Sequence, residues 1–302
     1  MNTGFSLRGN VRRTAVALLP TLLFCPMANI EQGAAASPGK PGKKPNQVRA
    51  GNAPPAPSTE AMRQLKEMVS AYKRLDCARI PSTAIQTIVI GQSIRAVQTT
   101  LLVFQRDPAR IALTIEDPVS GTQKLYYDGA ALTHYYGVAN LYGRFRGTWD
   151  LAGLARKIDS TTPQVLSPLQ FLMSDGAPAG IESASLSGVA TMGGKTVQII
   201  RGAFSRTYLR DLATRLSLKR FSPVDGSFEV WIDPATHFLR KSSVNMSWRG
   251  TVGKARGGKP AIVAPRLAAV ETFGPVTVNP KPAPEEFKFV PPPGARERSD
   301  NP

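Results

Sequence analysis

The stretch Leu125-Tyr126-Tyr127-Asp128-Gly129-Ala130-Ala131-Leu132-Thr133-His134-Tyr135-Tyr136 decides the reading of this chain. Two runs rich in apolar and aromatic residues flank an Asp-Gly pair. That arrangement predicts two antiparallel strands joined by a tight turn. Just upstream, Arg110 to Glu116 alternates, with Ile111, Leu113 and Ile115 on one face and Ala112 and Thr114 on the other. A period of two is the mark of a strand.

Working outward, the same pattern continues on both sides. Ile85 to Ile90 is rich in β-branched residues, and Ile94 to Arg106 reads as a long strand containing Val97, Leu101 and Val103. Asn140 to Arg146 suits a further strand. Leu151 to Ile158 and Leu166 to Met173 read as two short helices. Strands resume at Ile181 to Met192 and Thr196 to Phe204 about the turn Gly193-Gly194. Ser205 to Arg220 is basic and ambiguous. Phe228 to Ile232 and His237 to Trp248 form a hairpin about Asp233-Pro234, where the acid is turn chemistry. Ala261 to Phe273 reads as one long strand and Phe287 to Val290 as a short one.

Ahead of the strands lies one helix. Ser58 or Thr59 caps it, Glu60 suits its first turn, and Met62, Leu65, Val69 and Tyr72 make one apolar stripe. The expected fold is mainly β: a strongly curved antiparallel sheet whose concave face is covered by this helix and the central pair.

The N-terminus reads as an export leader. Arg8, Arg12 and Arg13 precede the apolar run Ala15 to Met27, and Ala34-Ala35-Ala36 offers a cleavage site. The run is shorter than the roughly 20 residues of a membrane span. The expected division is 1–36 leader, 37–57 Pro/Lys-rich linker, 58–295 folded domain and 296–302 flexible tail, with a periplasmic mature chain acting as a monomer. Cys25 sits late in the apolar run, where a lipid-attachment site places its Cys, but such a site wants a small residue before it and Phe24 is large, so the expectation is a free periplasmic chain with a lipid anchor at Cys25 as the alternative. The mature chain keeps one cysteine, Cys77, which excludes an internal disulfide and a cysteine-based metal cluster. The net charge of +17 suits an anionic membrane surface or simply reflects a basic proteome, and export argues against nucleic acid.

Several segments together resemble the LolA/LolB-like superfamily of bacterial envelope carriers, and most closely its uncharacterised periplasmic branch. They are Asp107-Pro108, Leu125 to Leu132, the leucine-rich Leu166 to Asp175, Phe228-Glu229-Val230-Trp231-Ile232-Asp233-Pro234, and Phe287-Lys288-Phe289-Val290-Pro291-Pro292-Pro293-Gly294-Ala295. They span most of 59–295 in the superfamily's order. The resemblance implies a half-barrel with a helical lid and an apolar cavity that accepts acyl chains. The carriers place an Arg immediately before the Pro that enters the third strand. This chain has Asp107 there, with Arg106 one residue earlier.

The expected cavity lining is Met62, Leu65, Val69, Tyr72, Leu101, Val103, Ile111, Leu113, Ile115, Leu172 and Trp231. Arg106, Arg110, Tyr127 and Tyr136 are expected at a mouth or against a lipid head group. The basic stretch Arg249 to Lys259 either touches anionic lipid heads or is a solvated hairpin tip. His134 and His237 lie outside any metal-spacing motif, and no nucleophile elbow or phosphate loop is present. The expectation is a non-catalytic protein without metal or cofactor, binding lipid or lipoprotein acyl chains. The alternatives are a sensor or interaction module that binds another envelope protein, and, more remotely, an envelope hydrolase.

Metabolic labelling with a tagged fatty acid tests the leader reading. The expected result is no incorporation that depends on Cys25; label lost in Cys25→Ser would establish a lipid anchor.

Overall fold

The computed structural model describes residues 58–90, 92–118, 121–254 and 260–298. The expected leader, Cys25, the linker, and Arg256 and Lys259 of the basic stretch lie outside them. The chain opens with helix α1 (Thr59–Lys73). The Ser58 hydroxyl accepts a hydrogen bond from the Ala61 N–H and so caps it. Its buried face is Ala61, Leu65, Met68, Val69 and Tyr72.

Six strands follow as a meander: β1 (Cys77–Ile90), β2 (Gln92–Gln105), β3 (Arg110–Asp117), β4 (Gly121–Tyr127), β5 (Ala131–Tyr136) and β6 (Leu141–Arg146). The Asp-Gly turn falls between β4 and β5. There the Asp128 carboxylate accepts from the N–H groups of Ala130 and Ala131, and Gly129 adopts a φ of 105°. Only glycine holds that backbone without strain.

Helices α2 (Leu151–Thr161) and α3 (Pro168–Met173) come next, followed by β7 (Ile181–Met192) and β8 (Lys195–Phe204). The ambiguous segment is helix α4 (Arg206–Arg215), capped by the Ser205 hydroxyl, which accepts from the Tyr208 N–H. Arg206 and Arg210 face solvent while Tyr208, Leu209, Leu212 and Ala213 are buried. The second half closes with β9 (Ser222–Ile232), β10 (Leu239–Lys254), β11 (Pro260–Val263), β12 (Arg266–Phe273) and β13 (Thr277–Val278). The strand expected over Ala261 to Phe273 is therefore two strands. Pro265 separates them, and its carbonyl accepts from the Trp248 N–H at 2.9 Å.

Among the described residues, the fourteen strands, the last being β14 (Arg296–Glu297), form one sheet in the order β14-β6-β5-β4-β3-β2-β1-β12-β10-β9-β8-β7, with β11 beside β10 and β13 beside β1. Strand β12 lies between β1 and β10 and thereby fuses the two meanders. The sheet is open and curved, with the helices on its concave face. This is the mainly β half-barrel that the sequence predicts.

The convex face is crossed by the C-terminal segment. Phe287 to Val290 is not a strand. Pro284–Phe287 is a 3-10 turn that drives the Phe287 ring between Val103 and Ala112. Phe289 then rests on the rings of Tyr126, Tyr135 and Tyr142, with centroids 5.2–6.0 Å apart. Arg296–Glu297, expected in a loose tail, is strand β14, which pairs in parallel with β6. Among the described residues, no helix is long and apolar enough to cross a membrane.

Tyr72 ties α1 to the sheet. It is fully buried against Phe171 and Phe238, and its hydroxyl accepts from the Leu239 N–H at 3.1 Å. Tyr72→Phe leaves that N–H unpaired in the core. The expected loss is about 1–3 kcal/mol, read as a lower midpoint in a thermal melt.

Candidate functional site

The alternation of β1, β2, β3, β10 and β12 decides which side chains look into the concave space. Ala84, Gln86, Ile88 and Ile90 point inward from β1, and Gln98 and Thr100 from β2. Leu267, Ala269 and Glu271 do so from β12, and Ser242 and Val244 from β10. Opposite them, the α2–α3 connection contributes Pro163, Gln164 and Val165. The end of α4 and the turn after it contribute Leu212, Leu216 and Leu218. Sheet and lid do not close completely. They leave a cavity of about 120 Å³, with Trp248 in its wall. The Trp248 indole N–H donates to the Leu209 carbonyl at 3.1 Å, which anchors α4 to the sheet.

An ion pair holds the two lid segments together. The buried Asp159 carboxylate of α2 accepts from the Arg215 guanidinium of α4 and from the Gln164 N–H. Burial raises the Asp159 carboxyl above the usual range, and the Gln164 N–H and Arg215 partly oppose that rise. Removing one partner of such a pair leaves the other charge buried and uncompensated.

The cavity wall is mainly apolar, with Thr100, Gln164 and Arg266 among its polar members and one further polar stripe on the sheet. There, Ser82 beside the cavity donates to the Glu271 carboxylate at 2.6 Å. The Gln86 amide donates to Gln98, and Gln98 donates to Asp117, each at 2.8 Å. Ser242 lies directly opposite Glu271 on the neighbouring strand. Glu271 is half-buried and lines the cavity. Desolvation pushes its carboxyl from 4.5 up to about 7, and the Ser82 hydrogen bond works against that rise.

The side chains that the sequence singled out disperse over the fold. Ile115 lines the cavity. Leu65, Val69, Tyr72, Ile111, Leu113 and Leu172 are buried in the packed core around it, with Met62 at the edge of that core. Leu101, Val103 and Trp231 are corrected to the convex face. Side chains on a strand alternate, so the inward neighbours of Leu101 and Val103 are Thr100, Leu102 and Phe104. On that outer face Val103 packs against Phe287, and Lys241 lies over the Trp231 ring.

The expected mouth does not form from Arg106, Arg110, Tyr127 and Tyr136. Arg106 donates to the carbonyls of Lys73 and Leu75 and closes the C-terminal end of α1. Arg110 sits over Phe287 on the convex side. The Tyr127 hydroxyl is engaged with the backbone of Gly129, Gly147 and Trp149. Tyr136 stacks on His134 and shares a 2.8 Å hydrogen bond with it. Burial lowers the His134 imidazole to about 3, so it is neutral in the fold. Neither histidine lines the cavity, and no cluster of three metal-ligating residues occurs among the described residues. The polar stripe is what sequence reading missed. Its members lie far apart in the chain, and only strand register brings them together.

A second groove, open and about 880 Å³ in volume, lies against the C-terminal segment at the β5–β6 edge. It combines Arg144, Arg146, Lys157 and Lys288 with Asp128 and Glu297.

No family model matches the sequence, and no curated protein matches it. Among solved structures, the chain is similar to the Mycobacterium tuberculosis lipoprotein LppX, at 13% identity over 74% of this chain and 100% of that one, with a TM-score of 0.40. It is similar to LprF from Mycobacterium bovis at 14% identity over 76% and 99%, TM-score 0.40. A LolA superfamily protein from Nitrosomonas europaea is similar at 10% identity over 76% and 97%, TM-score 0.29.

Glu271 gives the fold a pH signature. Its carboxyl titrates near 4.5 when unfolded and near 7 when folded, so the folded state holds the proton more tightly. Its contribution to stability is full below pH 4.5 and is lost as pH rises to 7. At about 1.4 kcal/mol per pKa unit the loss is about 3 kcal/mol. Glu271→Gln is therefore expected to melt several degrees above the unsubstituted protein at pH 8.5 and to lose that advantage by pH 5. The difference between the two proteins separates this effect from His134, whose neutral burial destabilises the fold as pH falls below 6.5.

Proposed function

We propose that this chain is a non-catalytic binding protein of the cell envelope that holds an acyl chain of a lipid or lipoprotein between its curved sheet and its helical lid. The observation that carries this reading is the incompletely filled space between Ile88, Ile90, Ile115, Val244 and Leu267 on the sheet and Val165, Leu212 and Leu216 on the lid. Apolar cavities of about 150 Å³ stay dry and take up a benzene-sized guest. A cavity of about 120 Å³ accordingly suits the end of a hydrocarbon chain. Each methylene buried there contributes about 0.8 kcal/mol. A longer chain requires the lid to move outward, because ligand pockets for molecules of drug size run to about 300–1,000 Å³. The lid segments next to the cavity are the α2–α3 connection and the end of α4, tied to each other by the Asp159–Arg215 pair.

A second reading, docking of another envelope protein, is favoured by the convex face. Val97, Ile85 and Val270 are 47%, 39% and 37% exposed. They lie side by side across β2, β1 and β12, because Ile85 pairs with both of the others. Photocrosslinking from position 85 in cells discriminates: one dominant protein adduct together with lipid-free protein favours docking.

The acyl-chain reading is tested by purifying the protein under native conditions and extracting it for mass spectrometry. Bound lipid at near-stoichiometric amounts is expected, as is uptake of the uncharged fluorophore N-phenyl-1-naphthylamine. Ala269→Trp places a ring in the cavity and is expected to weaken fluorophore binding at least tenfold. A lipid-free protein that also ignores the fluorophore overturns the proposal.

A further inference from the structure

Part of the cavity wall on the sheet is polar. Inward-facing positions of the central strands are mostly apolar where the core is packed, as at Ile80, Leu102, Phe104, Ile111, Leu113 and Leu125, with Gln123 and His134 as buried polar exceptions. They turn polar at Gln86, Gln98, Ser242 and Glu271, where the sheet borders the cavity. A carboxylate has acceptor capacity for about four hydrogen bonds. Ser82 is the donor to Glu271 among the described residues. Acceptor capacity therefore remains on a half-buried group that borders a mainly apolar space.

We propose that Glu271 is the head-group selector of this cavity, and that the site takes an uncharged amphiphile with a hydrogen-bond-donating hydroxyl in preference to a fatty-acid anion. The inference rests on the acyl-chain reading above and adds the chemical class of the ligand. A hydroxyl donates to the Glu271 carboxylate and accepts from a neighbouring amide or hydroxyl, so both partners are satisfied without burying a second charge. A carboxylate ligand meets a like charge in a water-poor space, where repulsion is strong. An ester offers only acceptors to an acceptor. The charged residues in the wall are Glu271 and Arg266, which sits at the exposed start of β12, five residues from Glu271. Asp117, reached through Gln98, adds a further acid on the same side.

Calorimetric titration of the natively purified, delipidated protein at pH 8.5 tests this with 1-octanol, methyl octanoate and sodium octanoate, which share the hydrocarbon and differ in the head. Octanol is expected to bind at least tenfold more tightly than either of the others. In Glu271→Gln, which folds without the buried charge, the preference of octanol over octanoate is expected to fall at least fivefold. Equal binding of octanol and octanoate by the unsubstituted protein overturns the inference, as does a preference that Glu271→Gln leaves unchanged. The two levels of failure are distinct. If all three ligands bind equally and Ala269→Trp abolishes them, the cavity reading stands and the head-group inference falls. If none binds and N-phenyl-1-naphthylamine is also ignored, the cavity reading itself fails.

Discussion

An open sheet with apolar side chains on both faces has to be covered twice, and most of this structure answers to that constraint. Strand β2 shows it most clearly. Leu102 and Phe104 point into the core under the helices, while Leu101 and Val103 point the other way. The helical lid satisfies the first pair. The second pair requires the C-terminal segment, which lays Phe287 against Val103 and Phe289 on three tyrosines before ending as β14 on the sheet edge. The ion pair between Arg79 and Glu286 fixes where that segment crosses. Arg106 and Arg110 are consumed by the same two layers, one closing α1 and the other lying over Phe287. Arginine stems and guanidinium planes cover apolar surface as well as carrying charge.

The two covers are built differently, and the difference bears on function. The outer one is a single chain segment pinned by aromatic rings. The inner one is four short helices whose mutual contacts include several buried polar groups. The Gln170 side-chain amide of α3 donates to the Tyr208 hydroxyl of α4, and its Oε1 accepts from the Leu166 N–H. Asp159 binds Arg215 across α2 and α4. Such contacts are directional: they define one closed arrangement and weaken quickly when the parts separate. A lid held this way resists small displacements and still separates along definite lines, whereas an all-apolar lid would slide.

Much of this was legible in the sequence. The Ser58 cap and the Met62–Tyr72 stripe gave α1, and Asp128-Gly129 gave the β4–β5 hairpin. These are local signals, set by residues within one turn of each other. Helix α4 is harder to read, because it is short, under three turns, and Arg206, Arg210 and Arg215 flank a buried face of only Tyr208, Leu209, Leu212 and Ala213. The assignment of Leu101, Val103 and Trp231 to the cavity failed for a different reason. Period-two alternation says that two faces exist but not which is concave, and here both are apolar. Glu271 carries no local mark at all within Ala268-Ala269-Val270-Glu271-Thr272. Its significance comes from β12 lying beside β1, which brings Ser82 within hydrogen-bonding distance across 189 residues of chain.

That placement of β12 also explains why the cavity forms where it does. The two meanders meet at β1, β12 and β10, and the lid meets them there with a loop and a helix end instead of a helix face. A helix side packs ridges into the side chains below it. Pro163-Gln164-Val165 and the turn at Leu216–Leu218 present fewer and less regular side chains. The small Ala84 and Ala269 beneath them add no bulk. Larger residues at those two positions would fill the gap with ordinary core. Small residues beside a buried carboxyl do the reverse: they keep space next to a group that gains from a partner. A sheet selected only for stability would carry neither, since an acid whose carboxyl is pushed up to about 7 by desolvation weakens the fold at neutral pH. The combination is what the proposed acyl-chain site, with Glu271 facing a ligand hydroxyl, requires.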